Sequence, residues 1–362
     1  MFQRVYYTNF DVLTYLSPHY IITMIKFGLV GCGSIGERHA KHITDNSEAE
    51  LVAVYDIKTE RKEALEKKYN ILPTASIAEM VNRKEIDVIT VCTPNGNHFS
   101  TALLSLEAGK NVLIEKPMTI NKLDAERLIY SGLKNNKQIF VVKQNRFNPP
   151  VQHLKQLMQR EQLGKIYFVV IDCFWNRNKE YYLNSDWKGK KNDDGGTLFT
   201  QFSHFIDIPY YLFGDIDLDS ITGVIKNAGH DGLIEFEDTG AFTFKFKGGA
   251  LGSLNYTTAS FKQNMEGSIT VFAENATIKI GGQYLNTLEY QKTNGFDNFD
   301  LPESKPANDY GFYQGSMSNH DKIISNVVDA LLGKGQIMTN AVEGMKVVEI
   351  IERMYNVAKV IS

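Results

Sequence analysis

A glycine-rich turn set between an apolar run and a helix-period segment constrains this chain more than any other feature. Ile25–Val30 reads as a buried strand, and Gly31-Cys-Gly33-Ser-Ile-Gly36 follows it directly. The pattern predicts a helix from Ile35, a second strand over Leu51–Tyr55, and the acidic Asp56 closing that strand about 20 residues after the turn. Gly31 permits the tight turn, Gly33 lets the backbone approach a pyrophosphate, and Gly36 allows close helix-to-strand packing. Ser34 and Ile35 open the helix whose amides and dipole favour an anion, so the whole segment is expected to bind a dinucleotide. Asp56 suits the ribose hydroxyls of NAD and opposes a 2′-phosphate, which favours NAD over NADP. Lys58 and Arg61 weaken that preference slightly and read better as a solvated helix start.

The strand and helix signals repeat: Val88–Cys92 with a helix from Phe99, Asn111–Ile114 with a helix from Lys122, then Gln138–Val142. This alternation predicts βαβ units and a parallel sheet, a Rossmann domain over 25–145. At 362 residues the chain exceeds one ordinary core. From Lys165 the texture changes to period-two runs such as Thr243-Phe-Lys-Phe-Lys and Ser268-Ile-Thr-Val-Phe, which predict an open, mainly antiparallel sheet. The fold class is therefore α/β, with an α+β domain for substrate and oligomer contacts over 146–340 and a C-terminal helix over 341–362 that packs back on the body. Helices are expected near Pro150–Arg160, Phe199–Leu212, Asn319–Leu332 and Ala341–Ala358, the last two covering one face of the second sheet.

Composition removes other classes. A formal net charge of -3 with scattered Lys and Arg gives no footprint for nucleic acid or anionic lipid. No run of about 18 apolar residues suggests a membrane span. Cys32, Cys92 and Cys173 form no CxxC pair and read as buried thiols, which suits a cytoplasmic protein. Residues 1–24 lack signal-peptide character and read as a disordered extension before Met24, the expected natural start. No HExxH motif and no Cys-rich cluster appears, so no metal is expected.

Two further groups fall where ligands of open α/β sheets bind, at the carboxyl ends of strands. Thr93-Pro94-Asn95, with His98 beyond it, closes the third strand, and Glu115-Lys116-Pro117 closes the fourth. In this order with the glycine turn and Asp56, these motifs resemble the Gfo/Idh/MocA oxidoreductase family, and the resemblance covers nearly the whole chain from Met24. It implies that Lys116 and a histidine in a second-domain helix flank the reacting hydroxyl. The matching stretch runs from Gly195-Gly196 through Thr200-Gln201 and His204 to Asp207, with Thr200 where the family usually carries Asp or Asn, and Phe202 where Gly is usual. A hydroxyl orients a partner but is no carboxylate, so His204 must be tuned differently here.

A narrower resemblance joins Trp175-Asn-Arg177, Tyr181-Tyr182 and Asp186-Trp187-Lys188-Gly189 to nucleotide-sugar 3-dehydrogenases of bacterial surface-polysaccharide biosynthesis. Gln144-Asn-Arg146 and the run from Gly311 to His320 are similar to the same group. It implies a UDP-sugar oxidised at C3 to a ketone. Arg146, Arg177 and Lys188 are then candidates for a diphosphate or carboxylate, and Tyr181, Tyr182 or Trp187 for sugar or uracil. Gln201, Thr200 and His204 complete the expected substrate set. Either Lys116 or His204 serves as base, His204 being favoured for its ordinary pKa, with Lys116 polarising the oxygen. Homo-oligomers, dimers or tetramers, are common among similar proteins. Two other readings remain open: a polyol, inositol or aldose dehydrogenase of the same family, and a non-catalytic dinucleotide-binding regulator on this fold, against which Lys116 and His204 together argue.

Overall fold

The computed structural model describes residues 24–295, 301–309 and 314–361. The expected extension, apart from Met24, and Gly311 to Tyr313 of the run ending at His320 lie outside them. The first unit alternates as the sequence predicts: β1 (Ile25–Val30), α1 (Ser34–Thr44), β2 (Ala49–Tyr55), α2 (Thr59–Tyr69), α3 (Ile77–Asn82), β3 (Val88–Val91), α4 (His98–Glu107), β4 (Asn111–Ile114), α5 (Lys122–Lys134) and β5 (Ile139–Val141). Short apolar strands of this kind are buried on both faces: every residue of β3 and β5 is buried. They pair in parallel in the order β2-β1-β3-β4-β5. The order reverses between β1 and β3, which opens the crevice where such sheets bind ligands.

The second unit begins with α6 (Pro149–Gln159) and β6 (Ile166–Phe174), continues through the short helices α7 (Lys179–Leu183), α8 (Lys191–Asp194) and α9 (Thr197–Thr200), and reaches α10 (His204–Phe213). Then come β7 (Ile216–Lys226), β8 (Thr239–Phe246), β9 (Leu251–Thr257), β10 (Glu266–Ala273), β11 (Ala276–Gly281), β12 (Thr287–Thr293), β13 (Ala307–Asp309) and β14 (Gln314–Met317). The chain ends in α11 (His320–Leu331), α12 (Ala341–Val357) and β15 (Lys359–Val360). Eight strands form one sheet, β12-β11-β10-β6-β9-β8-β7-β15, antiparallel except for the β6–β9 and β7–β15 pairs. Period-two alternation does its expected work in β8, where Phe242, Phe244 and Phe246 are buried while Thr243 and Lys245 face out.

Two expectations are corrected. Of the last two helices only α12 packs on the second sheet, against β7 as well as α5, whereas Ile323, Ile324, Val327 and Val328 of α11 join the apolar cluster of β1 and α1. Amphipathic spacing fixes which helix face is buried but not what buries it. The helix expected over Phe199–Leu212 is broken at 201–203 between α9 and α10. The side chain of Gln201 is drawn aside by Arg177 and Tyr181, at 2.6 and 2.7 Å. Among the described residues no helix is long and apolar enough to cross a membrane.

Candidate active site

The glycine turn has the geometry its sequence implies. Gly31 has φ +96°, and a Cβ there would lie 2.4 Å from the Cys92 carbonyl oxygen; at Gly36 it would lie 1.9 Å from the Gly31 carbonyl oxygen. Both positions therefore require glycine. Gly33 differs, since an added Cβ would meet only Arg61 Nη1, at 3.7 Å, so its Cα faces open space. No side chain caps the amino end of α1, which leaves its first amides to an anion. Asp56, at the end of β2, accepts from the Cys32 and Lys58 amides at 2.6 and 2.8 Å. These residues fit a dinucleotide: an open phosphate cradle and a fixed carboxylate at the ribose end. Lys58 pairs with Asp186 of the second unit at 2.8 Å.

His98 and Asn95 are built into the protein around this crevice. The buried His98 ring lies between the Pro117 and Thr93 carbonyl oxygens, at 2.6 and 2.9 Å, and ties the loop after β4 to the loop after β3. Asn95 donates to the Asp194 carbonyl oxygen and to Thr200 Oγ1, both at 2.8 Å.

Lys116 stands two residues beyond Ile114, the last of β4, and its Nζ donates to the Thr200 carbonyl oxygen at 2.6 Å. The break between α9 and α10 leaves that carbonyl available, so an irregularity invisible to periodicity connects Lys116 to the His204 segment. Burial pulls the Lys116 ammonium down to about 8, opposed by the Glu115 and Asp194 charges and reinforced by Arg177 and Lys143. His204, first residue of α10, is buried with its Nε2 3.3 Å from Gln144 Nε2. Its burial, then the Lys116 and Lys143 charges, hold it well below the ordinary histidine value, so the ring is neutral. Thr200 sits between Asn95 and the Asp194 carboxylate, to which its hydroxyl is hydrogen-bonded.

One wall comes from the loop after β6. Buried Arg177 donates to Gln201 Oε1 at 2.6 Å and lies 5.0 Å from the Trp175 ring. Lys188 Nζ lies 3.8 Å over the Tyr181 ring, and burial, then Arg177, lowers it to about 8. Trp187 is half-buried beside it. Tyr182 turns to His230 instead, at 5.3 Å between rings. Arg146 does not join this wall, which corrects its expected contact with substrate. Its guanidinium is consumed by both Asp207 oxygens, Glu343 and the Met338 carbonyl.

Sequence reasoning missed Asp194 and Lys143, and it placed Gln144 in a resembling run without giving it a role; all three gain meaning only from what folds against them. It also missed the meeting of His39, Glu115 and His320, whose ligand-type atoms lie within 4.8 Å of one another, the one such group among the described residues. His39 Nε2 lies 2.8 Å from Glu115 Oε1, and His320 Nε2 lies 3.5 Å from the same oxygen. Burial works against the Glu115 charge, but the two rings outweigh it and hold the carboxyl well below its usual range. This fixes the residue before Lys116.

A dinucleotide crevice facing a half-buried lysine and a buried histidine defines an NAD-binding oxidoreductase. Residues 25–143 match the oxidoreductase family with an NAD-binding Rossmann fold, and residues 151–279 match the GFO/IDH/MocA C-terminal domain; the chain belongs to the GFO/IDH/MocA oxidoreductase family. The WlbA dehydrogenase of Bordetella pertussis, crystallised with NADH and UDP-GlcNAcA, is 31% identical. The match covers 92% of this chain and 96% of that one, with a TM-score of 0.81. The WlbA dehydrogenase of Chromobacterium violaceum, with the same two ligands, is 32% identical over 92% and 94%, with a TM-score of 0.83. Among curated proteins, glucose-6-phosphate 3-dehydrogenase of Bacillus subtilis is 30% identical over 56% of this chain and 57% of its own length. An oxidoreductase of Streptococcus pneumoniae is 28% identical over 58% of this chain; the match spans 55% of that protein's length.

Proposed function

We propose that this protein is an NAD-dependent dehydrogenase of a nucleotide sugar, oxidising the C3 hydroxyl of UDP-N-acetylglucosaminuronate or UDP-N-acetylglucosamine to a ketone. The observation that carries the reading is the meeting of Lys116 with the Thr200–His204 segment beside the dinucleotide crevice. The full-length likeness to two dehydrogenases crystallised with NADH and UDP-GlcNAcA supports the choice of substrate.

NAD, held by the glycine turn and Asp56, would supply the acceptor for the hydrogen leaving the carbinol carbon. Lys116 is the better proton acceptor: its Nζ, drawn to about 8, is partly neutral near physiological pH. This reverses the preference for His204, because a ring held so far below its usual value attracts a proton weakly. His204 instead hydrogen-bonds the substrate oxygen as a neutral imidazole, oriented by Gln144. Arg177 and Lys188, beside the aromatic rings of Trp175 and Tyr181, form the wall that receives the charged, ring-bearing end of the substrate.

The second reading, a dehydrogenase of a free or phosphorylated sugar or polyol, draws on the curated relatives. The test is NADH formation with UDP-N-acetylglucosaminuronate, UDP-N-acetylglucosamine, glucose 6-phosphate, myo-inositol and glucose in parallel, with an aminotransferase trap for the ketone. Turnover confined to a UDP-sugar is expected. Turnover confined to the non-nucleotide substrates would overturn the substrate assignment and leave the oxidoreductase assignment intact.

A further inference from the structure

Thr200 stands where similar sequences carry a carboxylate or amide, yet the site does not lack a carboxylate. Asp194, six residues earlier at the end of α8, is buried at 1% exposure and accepts from the Gly189 amide at 2.8 Å. Its other carboxylate oxygen is hydrogen-bonded to the Thr200 hydroxyl, and its backbone carbonyl accepts from Asn95 Nδ2 at 2.8 Å. The same Thr200 offers its carbonyl to Lys116 Nζ. A single residue thus joins a buried carboxylate on one side to the candidate proton acceptor on the other.

We propose that Asp194 is a positioning residue: through Thr200 and its own negative charge it replaces the carboxylate missing from the 200 position, anchoring the segment that meets Lys116 and favouring the charged form of that lysine. The inference rests on the reading of Lys116 as proton acceptor. Asp194 is faced by Lys116 beyond β4, Lys188 and Asp193 on the neighbouring loop and helix, Tyr181 and Tyr182 on α7, and Glu237 ahead of β8. Lys116 is faced in addition by Glu115, Arg177, Lys143 and His204. Burial raises the Asp194 carboxyl to about 7, against the pull of the Gly189 amide, Lys188 and Lys116, so it is mostly ionised where Lys116 titrates. An ionised carboxylate there raises the proton affinity of Lys116, which partly offsets the burial of the ammonium.

The test is the pH profile of kcat/KM in the oxidising direction, with the same titration followed without cofactor or substrate by NMR of the lysine side-chain nitrogen. Wild type should rise with pH through about 8. Asp194→Asn, nearly isosteric, should move that limb and the NMR titration to lower pH by about 0.5–1 unit and lower the plateau about tenfold. Asp194→Glu, which retains the charge, should leave the limb near its wild-type position whatever its plateau. A limb and NMR titration unmoved in Asp194→Asn would overturn the proposal, even if turnover fell, because packing alone would then explain the loss. A limb that moved equally in both variants would also overturn it. The underlying reading fails separately, if Lys116→Ala retains turnover near wild type.

Discussion

Arg146 and Asp207 meet through two parallel hydrogen bonds, Nε to Oδ2 at 2.9 Å and Nη2 to Oδ1 at 2.6 Å, inside a region where both side chains are 1% exposed. Asp207 lies one turn after His204 on α10, so this pair fixes the helix that carries the candidate site histidine. Lys143 adds a third charge 3.6 Å from Asp207. Burial opposes the Asp207 charge, but Arg146 and Lys143 more than compensate and keep it ionised.

Removing one partner of this pair leaves the other charge buried alone. Arg146→Ala is expected to destabilise the protein by about 3–5 kcal/mol, read as a lower midpoint in urea unfolding. Enzyme that stays folded should keep its KM for the sugar. A raised KM with an unchanged midpoint would restore Arg146 to the substrate wall.

Lys116→Ala and His204→Ala should each lower kcat by about 10²–10⁴-fold. NAD affinity, followed by fluorescence titration, should change little. Only the lysine variant should abolish the limb near pH 8, because burial holds His204 neutral throughout that range. A limb that persists in Lys116→Ala and disappears in His204→Ala would exchange their roles.

Asp56 sits where the ribose of the cofactor is expected, fixed by two backbone amides. Asp56→Ala should raise the KM for NAD about tenfold or more, the scale of losing hydrogen bonds to a charged acceptor. The ratio of NAD to NADP activity should shrink as the repulsion of a 2′-phosphate disappears. Parallel initial-rate measurements with both cofactors check this.

Glu237 is buried between Tyr256 and Tyr355, whose hydroxyls donate to its Oε1 at 3.0 and 2.7 Å. Burial raises its carboxyl from 4.5 to about 7 in spite of those bonds. The folded state therefore holds a proton that the unfolded chain releases. The associated stability is fully present below about pH 4.5 and is lost as pH rises through about 7, on the order of 3 kcal/mol. Glu237→Gln has no such proton to lose. Urea unfolding of both proteins across this range should show the variant gaining on wild type as pH rises; a constant difference would contradict the protonation of Glu237.

The dinucleotide crevice was legible because its parts are local. One strand, one turn and one helix carry Gly31, Gly33 and Gly36, and the steric needs of a tight turn and a close helix leave their mark on consecutive residues. Lys116 was legible for a similar reason, since a lysine closing a parallel strand must emerge at the carboxyl edge of the sheet. What the sequence by itself determined is therefore the succession of elements, the two sheets and the residues at the strand ends. Tertiary structure alone decided that Arg146 is sealed by Asp207, 61 residues away. It decided that Lys116 finds the Thr200 carbonyl across 84 residues, and that Asn95 reaches Thr200 across 105. It also decided that α11 buries its apolar stripe on α1 and not on the second sheet. The physical reason is common to all of these. Backbone periodicity and turn sterics act over a few residues and are written in the chain. The partner of a buried charge, or the surface that covers an apolar face, is chosen only when distant segments compete to satisfy it.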